Sequence, residues 1–302
     1  MARPSVTFLI ICYNQSDTIA EAVESALAQT YAPLEIIISD DHSPDDTFLR
    51  ITDIVGRYRG PHTVRLNQNP RNLHPGHVRS IWHMVNSEIC VLGNGDDVFF
   101  PRRVEASVEA MMERNVSVVT CNPQIINARG DVQGPAVHEN SEIVLSLRAF
   151  FETSYDSTVL GAAMSWHREV FDFFGLPLLT QRDIDQNIGF RGALLRGGWM
   201  IREPLMSWRH HDKNSSLYLQ MQNATSPAEE ADIHERTLCN MTGIIHTMLH
   251  DLNFYLERRP DDPRRAELLA GRATLERRLA ETSRDWVIHR YDMARKKFVS
   301  KW

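Results

Sequence analysis

The sequence predicts an α/β protein: a mostly parallel sheet flanked by helices on both faces, with a helical C-terminal extension. Short apolar, β-rich runs recur through the first 121 residues and alternate with segments of helical periodicity. The connections between them are short, as strand–helix–strand crossovers in a parallel sheet require. Beyond residue 216 the strand-like runs stop and long helical stripes take over. That change predicts a sheet domain over 1–216 and a helical region over 217–302.

Val6 to Cys12 is nearly all apolar, the pattern of a strand covered on both faces. Tyr13-Asn14-Gln15-Ser16 breaks it, and Ser16 or Asp17 can cap a helix whose apolar face is Ile19, Val23, Ala26 and Leu27. Leu34 to Ser39 is a second buried strand, running into Asp40-Asp41, with a helix expected from about Asp45. Thr63–Leu66 reads as a strand, 75–86 as a helix and Glu88–Leu92 as the fourth strand. Pro101 is placed to open a helix over 101–114, before a strand over Val116–Cys121. Gly130-Asp131 and Gly134-Pro135 read as turns, and Val144–Phe151 as a helix. Gly161–Trp166 reads as extended, with helices over Arg168–Phe174 and 182–191 after it. The polarity of Trp208-Arg209-His210-His211 predicts a surface loop over Leu205–Ser216. Leu238, Met241, Ile245, Met248, Leu252 and Tyr255 form a helical stripe that Pro260-Asp261-Asp262-Pro263 stops. Two charged helices are expected after it, over Arg264–Thr282 and Arg284–Trp302.

Composition excludes several classes. With 302 residues, 42% of them hydrophobic, the chain can bury a sizeable core. A net charge of −6 gives no global attraction to nucleic acid. No apolar run approaches the roughly 20 residues of a membrane-spanning helix. Ala26-Leu27-Ala28 mimics a signal-peptide cleavage site, but Asp17, Glu21 and Glu24 precede it. The scattered Cys12, Cys90, Cys121 and Cys239 form no Cys-x-x-Cys pair, which fits a reducing cytoplasm. His246 and His250 have the spacing of a helical zinc pair but lack the intervening Glu, and read as an ordinary helix.

The chemistry concentrates at strand ends. In open parallel sheets, ligands bind beyond the carboxyl ends of the strands. Tyr13-Asn14, Asp40-Asp41 and Asp96-Asp97 each follow a strand and are expected to face one crevice. Adjacent carboxylates repel unless a cation separates them, and a hard divalent ion with a phosphate-bearing substrate would supply it. No Gly-x-Gly-x-x-Gly follows the first strand and no P-loop occurs, so a dinucleotide cofactor is not expected.

Taken together, these segments resemble the family 2 glycosyltransferases, which have the GT-A nucleotide-sugar fold. The resemblance covers roughly residues 5–216. It rests on the strand–Tyr13-Asn14–helix start, Gln29-Thr30-Tyr31, and Asp40-Asp41-x-Ser43-x-Asp45-Asp46-Thr47. Asn72 through Arg79, Asn94-Gly95-Asp96-Asp97, Ile184-Asp185-x-x-Ile188-x-x-Arg191 and Arg209-x-His211-x-x-Asn214-x-Ser216 extend it. Asn94 stands where the family often has Asp, and Ile184 where it has Glu.

The resemblance implies an inverting sugar transfer from a nucleotide-diphospho-sugar, UDP first among the nucleotides, to a glycan or lipid-linked hydroxyl acceptor. Surface polysaccharide synthesis is the role it suggests. It implies Asp41 as a contact to the nucleotide base, Arg79 as a nucleotide contact, and Tyr13 as a stacking or packing residue beside Asn14. Mn²⁺ or Mg²⁺ would lie on Asp97, with Asp96 and His211, and Asp185 would be the catalytic base, with Asp183 as its nearby substitute. A catalytically inactive nucleotide-sugar-binding module is the alternative. A sugar-1-phosphate nucleotidyltransferase is less well matched, because the first strand's exit has no Gly-rich basic loop. The basic 284–302 segment, with Trp286, Phe298 and Trp302, reads as a solvated helix, a dimer contact or a peripheral contact with the inner face of the membrane.

Overall fold

The computed structural model describes residues 3–135, 144–152, 160–176, 185–211, 214 and 217–299; side chains at 218 and 294–299 are not described. Alternation of strand and helix begins at once: β1 (Val6–Cys12), α1 (Ile19–Leu27), β2 (Glu35–Asp40), α2 (Thr47–Arg57), β3 (Thr63–Gln68), α3 (His77–Ile81) and β4 (Ile89–Asn94). A two-residue β5 (Val98–Phe99) precedes α4 (Arg103–Arg114) and β6 (Val118–Cys121). The middle of the chain holds β7 (Gln124–Ile126), β8 (Val132–Pro135), β9 (Val144–Leu145), α5 (Leu147–Glu152), β10 (Met164–His167) and α6 (Glu169–Phe174). It closes with α7 (Asp185–Leu195), β11 (Gly198–Ile201), β12 (Met206–Arg209), α8 (Leu217–Gln222), α9 (Pro227–Arg258) and α10 (Arg265–Val299).

The main sheet has the order β3-β2-β1-β4-β10-β6-β11-β9. Only β10 and β9 oppose the common strand direction, as the pairings of β10 with β4 and β6 and of β9 with β11 show. A small second sheet, β5-β12-β7-β8, is separate from it. Alternate residues of β1 serve opposite faces. Phe8 and Ile10 pack with α1, α2 and α4, while Leu9 faces a core built from α3, α5, α6, α7, α9 and α10. That second core runs across residue 216, because Leu252, Tyr255, Leu268 and Leu275 pack into it with Trp166 and Phe190.

Several elements differ from the sequence expectation for identifiable reasons. Thr18, not Ser16 or Asp17, is the N-cap of α1. Pro101 does not open α4, which starts at Arg103 after the short β5. Residues 144–151 split into β9 and α5, and Gly134-Pro135 lies within β8. The polar 205–211 stretch contains β12, a strand inside the small sheet, because its polar groups are satisfied by the 96–97 turn. The two expected terminal helices are one, α10, since neither Gly nor Pro occurs after Gly271.

Two buried polar contacts fix the layers. Arg191 on α7 grips Asp251 on α9 through two bonds, Nε to Oδ2 at 2.6 Å and Nη2 to Oδ1 at 3.0 Å, with the two side chains 2% and 0% exposed. The third arm, Nη1, donates to Gly175 O at 2.7 Å. On the other flank, His77 Nε2 lies 2.8 Å from Ser39 Oγ, joining α3 to β2.

Asp251→Ala should lower unfolding free energy by about 3–5 kcal/mol, because it strands a buried guanidinium. The paired change Arg191→Met with Asp251→Leu should recover most of that loss, read by denaturant unfolding. Burial lowers the pKa of His77 against the opposing pull of Asp41 and Asp40. Below the ordinary value of about 6.5 the unfolded chain takes up a proton that the folded histidine refuses. Stability is therefore full above that pH and falls as pH drops through it toward the lowered folded value. His77→Gln should show a shallower loss of Tm between about pH 7 and pH 5, and an unchanged slope would assign the titration to another group.

Candidate active site

The carboxyl ends of β1, β2 and β4 lie side by side. Cys12 is opposite Asp40 and Ile11 opposite Asn94, and main-chain bonds extend the ladder past the strands. Asp41 N–H donates to Cys12 O and Gly95 N–H to Ile11 O, both at 2.9 Å. Tyr13, Asn14, Asp40, Asp41, Asp96 and Asp97 are thereby brought to one end of the sheet. Because β10 runs against β4, with Ser165 opposite Val91, the 161–163 turn that precedes β10 lies at this end too. Gly161 N–H donates to Asp185 Oδ2 at 3.1 Å, which attaches the first residue of α7 to the same edge. A Cβ on Gly161 would sit 3.2 Å from that oxygen, a tight approach that glycine eases. Asp183 lies outside the described residues, as do 182 and Ile184.

The turn after β4 is drawn tightly over α1. A Cβ at Gly95 would lie 2.6 Å from Cys12 Cβ, a distance only glycine avoids. Asp96 Oδ2 is 3.0 Å from His211 Nε2, and these side chains are 10% and 19% exposed. His211 is oriented by its own turn: its N–H donates to Asn214 Oδ1 at 2.6 Å, and Asn214 Nδ2 donates to Arg209 O at 3.0 Å. Asp97 is fully buried. Its Oδ1 accepts the Arg209 N–H at 3.0 Å, while among the described residues its Oδ2 has no hydrogen-bond partner. Burial first, and the neighbouring Asp96 charge second, push the Asp97 carboxyl well above the usual carboxylate range.

Two buried arginines brace this turn. Arg209 Nε donates to Asp96 O at 2.8 Å, Nη2 to Glu21 Oε2 at 2.7 Å and Nη1 to Ala128 O at 3.3 Å. Arg103 Nη2 donates to Leu92 O at 2.8 Å and to Ala162 O at 2.9 Å, tying β4 to the 161–163 turn. From sequence Arg209 reads as part of a surface loop, and Arg103 is not among the candidate residues. Only the helical spacing of Arg103 with the buried Ser107 could have hinted at its inward position.

The β1–β2 side is organised differently. Tyr13 is 45% exposed, and Asn14 has φ +55°, a conformation Asn tolerates, with its N–H donating to Ser43 Oγ at 2.8 Å. Asp40 is fully buried and accepts from Ser43 N–H at 3.0 Å and Gln68 Nε2 at 3.2 Å. Asp41, 1% exposed, accepts from Asn69 Nδ2 at 2.7 Å and from the Leu73 and His74 N–H groups at 3.0 Å. Its carboxylate is thus committed to shaping the 69–74 loop. Arg79 is half-buried on α3, just beyond that loop.

Among the described residues no group of three or more His, Cys, Asp or Glu side chains is arranged to hold a metal ion. Asp96 and His211 form a pair, and a pair fits a hard divalent ion whose other positions are filled by phosphate oxygens. The orphaned, buried Oδ2 of Asp97 is a further acceptor suited to a cation.

The chain is similar to several known proteins. The succinoglycan biosynthesis protein ExoO of Rhizobium meliloti is 31% identical over 157 residues, which cover 50% of this chain and 43% of that protein. The UDP-Glc:alpha-D-GlcNAc-diphosphoundecaprenol beta-1,3-glucosyltransferase WfaP of Escherichia coli is 44% identical over 64 residues, 21% of this chain and 24% of that protein. The match thus spans less than half the length of either curated relative. Among solved structures, S. aureus TarS 1–349 in complex with UDP-GlcNAc superposes with a TM-score of 0.55 at 16% identity, covering 85% of this chain and 74% of that one. The mannosyltransferase PcManGT of Pyrobaculum calidifontis, in complex with GDP-Man and Mn²⁺, gives 0.55 at 14% identity, covering 96% and 86%. At such identities these two speak for the fold, which is GT-A. Residues 7–174, more than half the chain, match the family described as Glycosyl transferase family 2, and the chain belongs to that family.

Proposed function

We propose that this chain transfers a sugar from a nucleoside-diphosphate donor to a hydroxyl acceptor, with inversion, in the synthesis of a surface polysaccharide or glycoconjugate. The observation that carries the reading is the Asp96–His211 pair, 3.0 Å apart, at the same sheet end as Asp185. UDP is the first nucleotide to test, because the E. coli relative is named for UDP-Glc and the TarS structure holds UDP-GlcNAc. The acceptor class, a glycan or a lipid-linked sugar, follows the diphosphoundecaprenol in the same relative's name.

Roles are assigned by position and chemistry. The Asp185 carboxylate takes the acceptor hydroxyl's proton as that oxygen attacks the anomeric carbon, and the bonding pair leaves with the diphosphate. Asp185 Oδ2 accepts the Gly161 N–H and Oδ1 the Gln186 N–H, two bonds that hold the carboxylate in place. Asp183 is its substitute in sequence. Asp97, Asp96 and His211 would hold Mn²⁺ or Mg²⁺. A divalent ion bound there would neutralise charge developing on the leaving diphosphate. Tyr13 offers an exposed ring to the nucleotide base beside Asn14. Asp41, which orders the 69–74 loop, is the contact to the nucleotide base, and Arg79 beyond that loop is a nucleotide contact. Residues 1–216 carry this machinery, and from the 217–302 region Asp251 and Arg264 brace α7, whose first residue is Asp185.

A thermal-shift panel of UDP, GDP, dTDP and CMP derivatives, with and without Mn²⁺, tests the donor. Stabilisation by a UDP-sugar that needs Mn²⁺ is expected. Asp96→Asn and His211→Ala should each abolish the Mn²⁺-dependent part, and retention in both would refute the metal pair. Asp185→Asn should reduce turnover by roughly 10²–10⁴-fold while leaving donor binding intact. Binding by the wild type with no turnover on any acceptor would indicate an inactive binding module instead.

A further inference from the structure

We propose that the outward face of α10 docks the protein on an anionic lipid bilayer. One face of this helix packs on α9, where His289 Nε2 meets Ala231 O at 2.9 Å and Arg290 Nε meets Glu235 Oε1 at 3.2 Å. The opposite face carries Val287, Ile288 and Tyr291, exposed by 61%, 52% and 70%. Spacings of three and four put them on one stripe with Arg284. Elsewhere among the described residues, large exposed apolar side chains such as Leu49, Met112 and Val132 stand singly. Single ones are ordinary; three within five residues on one helical face are not.

Charge identifies the occupant. Residues 284–302 carry six Lys or Arg against two Asp, in a chain of net charge −6, so positive charge is segregated onto this segment. In sequence, Arg295, Lys296, Lys297, Phe298, Lys301 and Trp302 follow. Apolar side chains flanked by basic ones are the composition of a helix lying in a lipid interface beside anionic headgroups. A second copy of this chain would bring like charges together, which disfavours self-association through the same face. No helix of the described residues is long and apolar enough to cross a membrane, so the contact is at the surface.

The inference does not depend on the sugar-transfer reading, and its test reads no turnover. The full chain is sedimented with vesicles of phosphatidylcholine alone and of equal phosphatidylcholine and phosphatidylglycerol. Binding to the anionic vesicles, weakened by salt, is expected, with little binding to the neutral ones. Val287→Ser/Ile288→Ser/Tyr291→Ser alters only exposed side chains and should bind the anionic vesicles at least about tenfold more weakly, with unchanged thermal unfolding. Arg284→Glu should weaken binding and flatten its salt dependence. Equal binding by wild type and triple variant, or no binding by wild type, would overturn the proposal. So would a concentration-dependent dimer that the triple variant loses, which would assign this face to a second copy.

Discussion

The Arg209 guanidinium, 2% exposed, is the contact on which the geometry of the site depends. A buried cation is tolerable only when its donors are met, and here they reach Asp96 O, Ala128 O and Glu21 Oε2. Those partners lie on the turn after β4, the turn after β7 and α1. The residue's own N–H closes on Asp97 Oδ1. One side chain therefore sets the positions of elements more than a hundred residues apart in sequence. The Asp96–His211 pair follows from it, since His211 is only two residues beyond Arg209. Packing of the small sheet and alignment of the acidic turn are one constraint.

Much of this was legible in the residues. The apolar runs at 6–12, 34–39 and 88–92 announce buried parallel strands, and the rule that ligands meet strand carboxyl ends brings Asp41 and Asp96 to one edge. The sequence could not reveal which of two adjacent acids is accessible. Asp96 is paired with His211 near the surface, whereas Asp97 is fully buried, and only tertiary packing decides between them. Likewise, Trp208-Arg209-His210-His211 reads as a wet loop because polarity usually means solvent. Here the polarity is met internally, which no local pattern reports. Asp251 was invisible for the same reason: an Asp in a helical stretch reads as solvent-facing until its partner on another helix is known.

The C-terminal helices belong to this logic. Arg264 Nη1 and Nη2 donate to Ala193 O and Leu194 O, carbonyls at the C-terminal end of α7, where a cation is favoured. Arg191 grips α9 from the middle of α7. The C-terminal half of α7, the helix that begins with Asp185, is thus held by residues from beyond position 250. A side chain at the carboxyl end of the sheet is tied in this way to a distant part of the chain.

The Asp41 carboxylate has its own consequence. By accepting from Asn69, Leu73 and His74, it fixes the 69–74 loop before any ligand arrives. A molecule settling against that loop meets a wall already set, so little backbone freedom is surrendered on association. On the proposed reading, discrimination at that wall rests on shape fit rather than on folding around the guest.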